Sequence, residues 1–313
     1  MRKEILPYGP FSSKSSTWRK ARMLIRNTGL RAYVPLFFLA MVLLTGCMPK
    51  EVTPPAGKPV KVAVVLGAGA AKGFAHVGVL KVLEANKIPV SMIVGTSAGS
   101  FVGSLYAYGF NAFQLQKISF GLEQGDLVDF TLPDNGFIKG EKLEGYVNRM
   151  VRNTPMEKLR IPFYAVATDI QSGREMVFGT GNTGSAVRAS CSIPGVFAPS
   201  VIGGRTYVDG GVVSPVAVDA ARRLGADIVI AVDISNDGEA PKPQGTLSTI
   251  FQAIGIMYGR ISSQQLQRAD VVVRPRVGSM GSTDFSKRHE AVLEGERAAT
   301  AALPAIRAAL SRR

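Results

Sequence analysis

Histidine is nearly missing from this chain: His76 and His289 are its only two, so any reaction that needs an imidazole must use one of them. Cysteine is as scarce, with Cys47 and Cys191, which excludes the disulfide framework of a small secreted scaffold. No apolar run approaches the roughly 20 residues of a membrane-crossing helix; the longest, starting at Val34, is about a dozen. There is no extended block of like charge, no internal repeat, and no basic stripe interleaved with aromatics, so nucleic acid is not an expected partner. What is present is a chain of 313 residues, 46% hydrophobic and 19% charged, enough to bury a substantial core and too apolar to stay disordered.

The charge is uneven. Residues 1–46 carry eight Lys or Arg against the single acid Glu4, a net +7 out of the chain's +14. This basic stretch leads into the short apolar run and then Leu44-Thr45-Gly46-Cys47. A positive region, an apolar region and small residues at a cleavage point make a secretory signal. The last four residues resemble the bacterial lipobox, which implies that Cys47 becomes the lipidated first residue of the mature protein; an ordinary signal peptide or a short uncleaved anchor is the alternative. Met48 after the cysteine, where an Asp would retain the protein, points to the outer membrane if the cell is Gram-negative. The expected organisation is a lipoprotein signal at 1–46, a Pro-rich extended tether at 47–59 ("MPKEVTPPAGKP" after the cysteine) and one folded domain at 60–313. Cys191 would then be a lone thiol in the core.

From residue 60 strands and helices alternate. "VKVAVVL" is an apolar run suited to a strand buried on both faces. A glycine-rich turn and a helix over about 73–86 follow, then a second buried strand, "VSMIVG", and a helix over 98–108. Mostly helical segments fill 111–160. "PFYAVATDI" reads as a third strand with "REMVFG" beside it, and "GSAVRASCSI" as a short helix. "VIGGRTYVDGG" holds a Gly-Gly turn, and "DIVIAVDIS" is another buried strand. A helix over about 247–268 precedes the last strand, "DVVVRPRV". The alternation describes an α/β domain with a mainly parallel sheet.

Three motifs carry chemistry. Gly95-Thr96-Ser97-Ala98-Gly99 joins the second strand to a helix. In that setting the serine sits on a sharp strand-to-helix turn that small flanking residues permit, with its hydroxyl pushed out at the end of the sheet. The competing reading is a serine in a small-residue packing turn. Gly67-Ala68-Gly69-Ala70-Ala71-Lys72-Gly73 ends the first strand, and its backbone N–H groups can hold a phosphate or a reaction oxyanion. A dinucleotide fingerprint would need glycine where Lys72 stands and an acid at the end of the second strand. The oxyanion reading therefore gains, with Gly69 and Ala70 as donors and Lys72 adding positive field or forming a structural ion pair. Asp209-Gly210-Gly211 follows the strand "RTYV"; such a loop can aim a carboxylate at another strand's turn, although it also serves calcium sites and tight turns.

Ser97, then Asp209 or Asp233, then His289 has the chain order of an α/β-hydrolase triad, but only one strand precedes Ser97's own, too few for that fold. His76 reads as a capping or packing residue, His289 as part of a solvated helix face, and Asp233 as a turn cap.

Together the three motifs resemble the patatin-like phospholipases, and "ASCSIPGVFAP" at 189–199 is similar to that family's segment ahead of its D-G-[GA] loop. The resemblance implies a three-layer patatin-like α/β fold with a mainly parallel central sheet and helices on both faces. It implies Ser97 as nucleophile, Asp209 as the only base, and the 67–73 loop as oxyanion hole. Neither metal nor cofactor is implied, and the substrate would be a fatty acyl ester of a phospholipid or lysophospholipid met at a membrane surface. Ala68 and Ala70 depart from the glycines often found in that loop, which matters where a positive φ is required. A catalytically silent envelope lipoprotein that uses the fold for binding is the alternative to an enzyme. The helix at 247–268 is either a lid or a core-facing helix.

Overall fold

The computed structural model describes residues 59–131, 136–235 and 242–312. The expected signal segment, Cys47 and nearly all of the tether lie outside these residues. Within them, no helix is long and apolar enough to cross a membrane.

The strand β1 (Val62–Leu66) is buried at every residue. It leads through the Gly67–Gly73 loop, whose last four residues form a 3-10 turn, into α1 (Phe74–Ala85). The helix thus starts one residue later than its sequence pattern suggests. Next come β2 (Met92–Thr96), α2 (Ala98–Tyr108), α3 (Ala112–Gly121), the short α4 (Gln124–Leu127) and α5 (Glu141–Met150). A second stretch comprises β3 (Phe163–Asp169), β4 (Glu175–Phe178), α6 (Thr183–Ser190), β5 (Ser200–Ile202) and β6 (Arg205–Asp209). Gly203 and Gly204, at φ 58° and 76°, make the tight β5–β6 turn that their left-handed conformation allows. The chain continues through α7 (Val218–Arg223), β7 (Ile228–Val232), α8 (Thr246–Gln265), β8 (Val271–Val273) and α9 (Arg288–Ser311).

β3, β2, β1, β7 and β8 run parallel, while β4, β5 and β6 add antiparallel pairings. Alternation along β1 shows why both faces are covered. Val62, Val64 and Leu66 join the core built with Leu80, Leu83 and Ala299 of α1 and α9. Ala63 and Val65 point the other way, to Val218, Ala221 and Leu266. A run with no polar position is what such a two-sided strand requires.

Ala165 pairs with both Gly95 of β2 and Phe178 of β4, and Ala167 with both Asp209 of β6 and Met176 of β4. A strand has two edges, so β4 occupies one while β2 and β6 occupy successive stretches of the other. β2 ends at Thr96, opposite Val166, and β6 ends at Asp209, opposite Ala167. The residues that follow β2 and β6 therefore meet.

Candidate active site

Ser97, at the end of β2, adopts φ 53°, ψ −123°, a conformation that non-glycine residues reach only at a cost of about 1–3 kcal/mol. The surrounding glycines allow it. A methyl group on Gly99 would run into the Leu66 carbonyl, and one on Gly95 would come within 2.6 Å of the Gly99 carbonyl oxygen. Ser190 on α6 braces the turn: its hydroxyl donates to the Val166 carbonyl (2.6 Å) and accepts from the Ser97 amide (2.9 Å). That amide is thereby committed to the scaffold.

Asp209 is completely buried. Its backbone carbonyl accepts from the Thr168 hydroxyl (3.0 Å). Carboxylate Oδ1 accepts from the Gly211 amide (2.7 Å) and from the Tyr258 hydroxyl (3.1 Å). Oδ2 is buried and makes no hydrogen bond among the described residues. Burial raises the carboxyl's pKa to about 6, opposed by the neighbouring Ser97 hydroxyl, the Gly211 amide and Tyr258. Ser97 thus lies close enough to favour the ionised carboxylate, without a fully formed hydrogen bond to Oδ2. A carboxylate that retains proton affinity near neutrality, beside a hydroxyl on a strained turn, is suited to general-base work.

In the glycine-rich loop the amide donors divide. Gly67 N–H donates to Val232 (3.0 Å), Ala68 to Pro215 (2.9 Å), Ala71 to Ser282 (3.0 Å) and Lys72 to Gly69 (3.1 Å). The Gly69 and Ala70 amides make no hydrogen bond among the described residues, and Ala70 lines the same cavity as Ser97. Of the loop residues expected to form an oxyanion hole, Gly67 is therefore committed to the sheet, and Gly69 and Ala70 are available. Ala70 has φ 50°, so one of the alanines that replace loop glycines does occupy a left-handed position. His76, fully buried on α1, braces the loop from beneath through Nε2 to the Gly67 carbonyl (2.8 Å). Burial pushes it down to about 4, so it is neutral and donates. Gly73 packs against Ala98, where a methyl group would approach the Ala98 side chain to 2.7 Å. Lys72 is buried and lines a separate cavity of about 130 Å³ with Ser248 and Gln252; burial lowers its pKa.

Ser97 opens into an apolar cavity of about 210 Å³ whose walls include Phe74, Phe101, Leu143, Val196 and Phe285. Cys191 lies on the same wall, with Sγ 3.7 Å from Ser100 Oγ, and burial pushes the thiol's pKa up. It is a lining residue of the site, which its reading as an ordinary core residue misses. Helix α8 contributes Phe251 to the cavity and packs Ile250 and Ile254 against Ile138, Ile193 and Val196. It leaves Ile256 and Met257 exposed, and so forms a wall of the site. Tyr258 on this helix donates to Asp209; in the sequence it stands only as one more apolar residue of the helix, with no sign of that role.

The rival residues lie elsewhere. Asp233 accepts from the Ser235 amide (3.0 Å) and hydroxyl (2.6 Å), the turn cap it was expected to be. His289 is exposed on α9, stacked on Phe120 at 3.8 Å between ring centroids, and lines no part of the Ser97 cavity.

The patatin-like phospholipase family pattern matches residues 64–222. A Mycobacterium bovis protein described as an uncharacterised NTE family protein is 34% identical over 184 residues, 58% of this chain and 51% of its own length. Lysophospholipase nte1 of Aspergillus niger is 30% identical over 261 residues, which cover 73% of this chain and 17% of that protein. The chain therefore spans about half of the mycobacterial relative and a much smaller share of the fungal one. Among solved structures, VipD from Legionella pneumophila shares the fold, with a TM-score of 0.56 at 13% identity over 80% of this chain and 67% of that one.

Proposed function

Because the chain belongs to the patatin-like phospholipase family, we propose that it is a serine acyl hydrolase acting on fatty acyl esters of phospholipids or lysophospholipids, with Ser97 and Asp209 as its whole proton relay. The observation that carries the proposal is the unpartnered, buried Oδ2 of Asp209 beside a serine held in a strained turn. Asp209 takes the Ser97 hydroxyl proton as Oγ attacks the ester carbonyl. The Gly69 and Ala70 amides receive the negative charge that develops on the carbonyl oxygen, a service for which one lost donor typically costs on the order of 10²–10³ in rate. Asp209 returns the proton to the leaving alcohol. It then activates water to release the fatty acid and regenerate the serine. The apolar cavity suits an acyl chain. The complete burial of Asp209 keeps bulk water from the carboxylate, which preserves its basicity.

The test is hydrolysis of a panel of lysophospholipids and phospholipids by the wild type, Ser97→Ala and Asp209→Asn. Both variants should lose at least about 10³-fold in kcat/KM, as residues that act as a unit do. Hydrolysis that survives Ser97→Ala ends the proposal. The proposed address is the cell envelope, with the chain lipid-anchored through Cys47; Leu44-Thr45-Gly46-Cys47 and Met48 support it. Metabolic labelling with a palmitate probe should mark the wild type and not Cys47→Ser.

A further inference from the structure

The two oxygens of the Asp209 carboxylate are treated unequally. Oδ1 receives two donors, the Gly211 amide from its own turn and the Tyr258 hydroxyl from α8, whereas Oδ2 receives none among the described residues. A carboxylate with one donor can swing about its side-chain torsion. Two donors from different elements on the same oxygen fix the plane and decide which oxygen is left over.

Tyr258 is itself held firmly. It is 6% exposed, and its ring lies directly against Gly211. A methyl group at Gly211 would overlap the ring and come within 2.6 Å of the hydroxyl oxygen. The second glycine of Asp209-Gly210-Gly211 therefore clears the space through which the tyrosine reaches the carboxylate.

We propose that Tyr258 is a positioning residue for the reaction: its hydroxyl pins Oδ1 of Asp209 and so presents Oδ2 to Ser97. The inference rests on the reading of Ser97 and Asp209 as the reacting pair. It adds that α8, the wall of the acyl cavity, is also the element that aims the base. The same helix carries Phe251 in the cavity and Tyr258 on the carboxylate.

The electrostatic surroundings make the bond's effect readable. The groups facing the carboxylate are the Ser97 hydroxyl from the elbow, Cys191 from the end of α6, and Tyr258 from α8. Burial holds both Cys191 and Tyr258 in their neutral forms. On β3, Thr168 bonds the Asp209 backbone, and the next residue, Asp169, is paired with Arg205 (2.9 Å). A donor to the ionised carboxylate stabilises that form, so losing it makes the carboxyl harder to ionise.

Tyr258→Phe keeps the ring against Gly211 and removes only the donor. The acid limb of kcat/KM should move up by about one pH unit, from a midpoint near 6 toward 7, because a hydrogen bond to a charged group is worth about that much. Most of the rate lost at pH 6 should return on raising the pH. The Asp209 carboxyl itself, followed by carbon-13 NMR in aspartate-labelled protein and assigned with Asp209→Asn, should move in parallel. A fluorotyrosine at position 258, a stronger donor, should move both midpoints down. An unchanged carboxyl titration, or a loss of rate equal at every pH, overturns the proposal. If the wild type hydrolyses no ester, the reading of the function falls, while the carboxyl titration still decides whether Tyr258 holds Asp209.

Discussion

Thr96 and Asp209 lie end to end along a single edge of β3, partnered by its consecutive residues Val166 and Ala167. The strand acts as a ruler that brings the serine after one and the carboxylate of the other together. Gly210 sits in the seam: a methyl group there would strike the Val166 carbonyl and come within 3.0 Å of Thr96 Cγ2. Gly210→Ala must push β6 off its register. The expected loss is about 1–3 kcal/mol in stability and about 10²-fold or more in kcat/KM, the scale of a 1 Å misplacement. Denaturant unfolding and ester hydrolysis measure the two; full activity in Gly210→Ala would show that the register does not position the base.

The strain at Ser97 predicts a trade of stability for function. Ser97→Gly and Ser97→Ala both lack the nucleophile, but only glycine relaxes at φ 53°, ψ −123°. Relief of about 1–3 kcal/mol exceeds the roughly 0.4–1 kcal/mol by which glycine favours the unfolded chain. Ser97→Gly should therefore melt above Ser97→Ala. The reverse order in calorimetry would mean that the turn is unstrained.

Asp209 and His76 give opposing pH dependences. The folded Asp209 pKa, about 6, lies above its ordinary 3.8. This group favours the fold below pH 3.8, and the contribution is lost as pH rises through 6. His76 is depressed to about 4 from 6.5, so the unfolded chain takes up its proton first and stability is lost as pH falls from 6.5 toward 4. In the wild type the two slopes offset. Asp209→Asn removes one of them. The variant should gain stability at pH 8, up to about 3 kcal/mol, and lose it more steeply than the wild type between pH 6.5 and 4. Urea unfolding across that range provides the check; parallel curves would contradict the raised pKa.

His289→Ala should leave kcat/KM within about twofold of wild type, since surface substitutions away from a site have small effects, and His289 is stacked on Phe120 outside the cavity. A large loss would restore an imidazole to the mechanism.

The strands and the nucleophile turn were legible in the sequence because local chemistry dictates them. A strand buried on both faces must be apolar throughout, as in Val62–Leu66, and a serine at a left-handed turn needs neighbours such as Gly95 and Gly99. Gly69 and Ala70, the loop residues the sequence proposes as oxyanion donors, are also the ones whose amides make no hydrogen bond among the described residues. The placement of β6 beyond the end of β2 was not, because which strand adjoins which is settled by non-local pairing. Tyr258 stayed hidden because one tyrosine among Ile250, Phe251 and Ile254 looks like any packed aromatic of an amphipathic helix. Cys191 reads as a core thiol and Ser190 carries no local signal; their importance comes from the turn they contact, far away in the chain.

The central claim is that one carboxylate activates one serine without an imidazole. Reaction with a fluorophosphonate probe, with the modified residue located by mass spectrometry, tests it most directly. A single adduct on Ser97 is expected, forming at least about 10³-fold more slowly in Asp209→Asn and at the wild-type rate in His289→Ala. An adduct on another residue, or an Asp209→Asn variant that reacts as fast as the wild type, would contradict it.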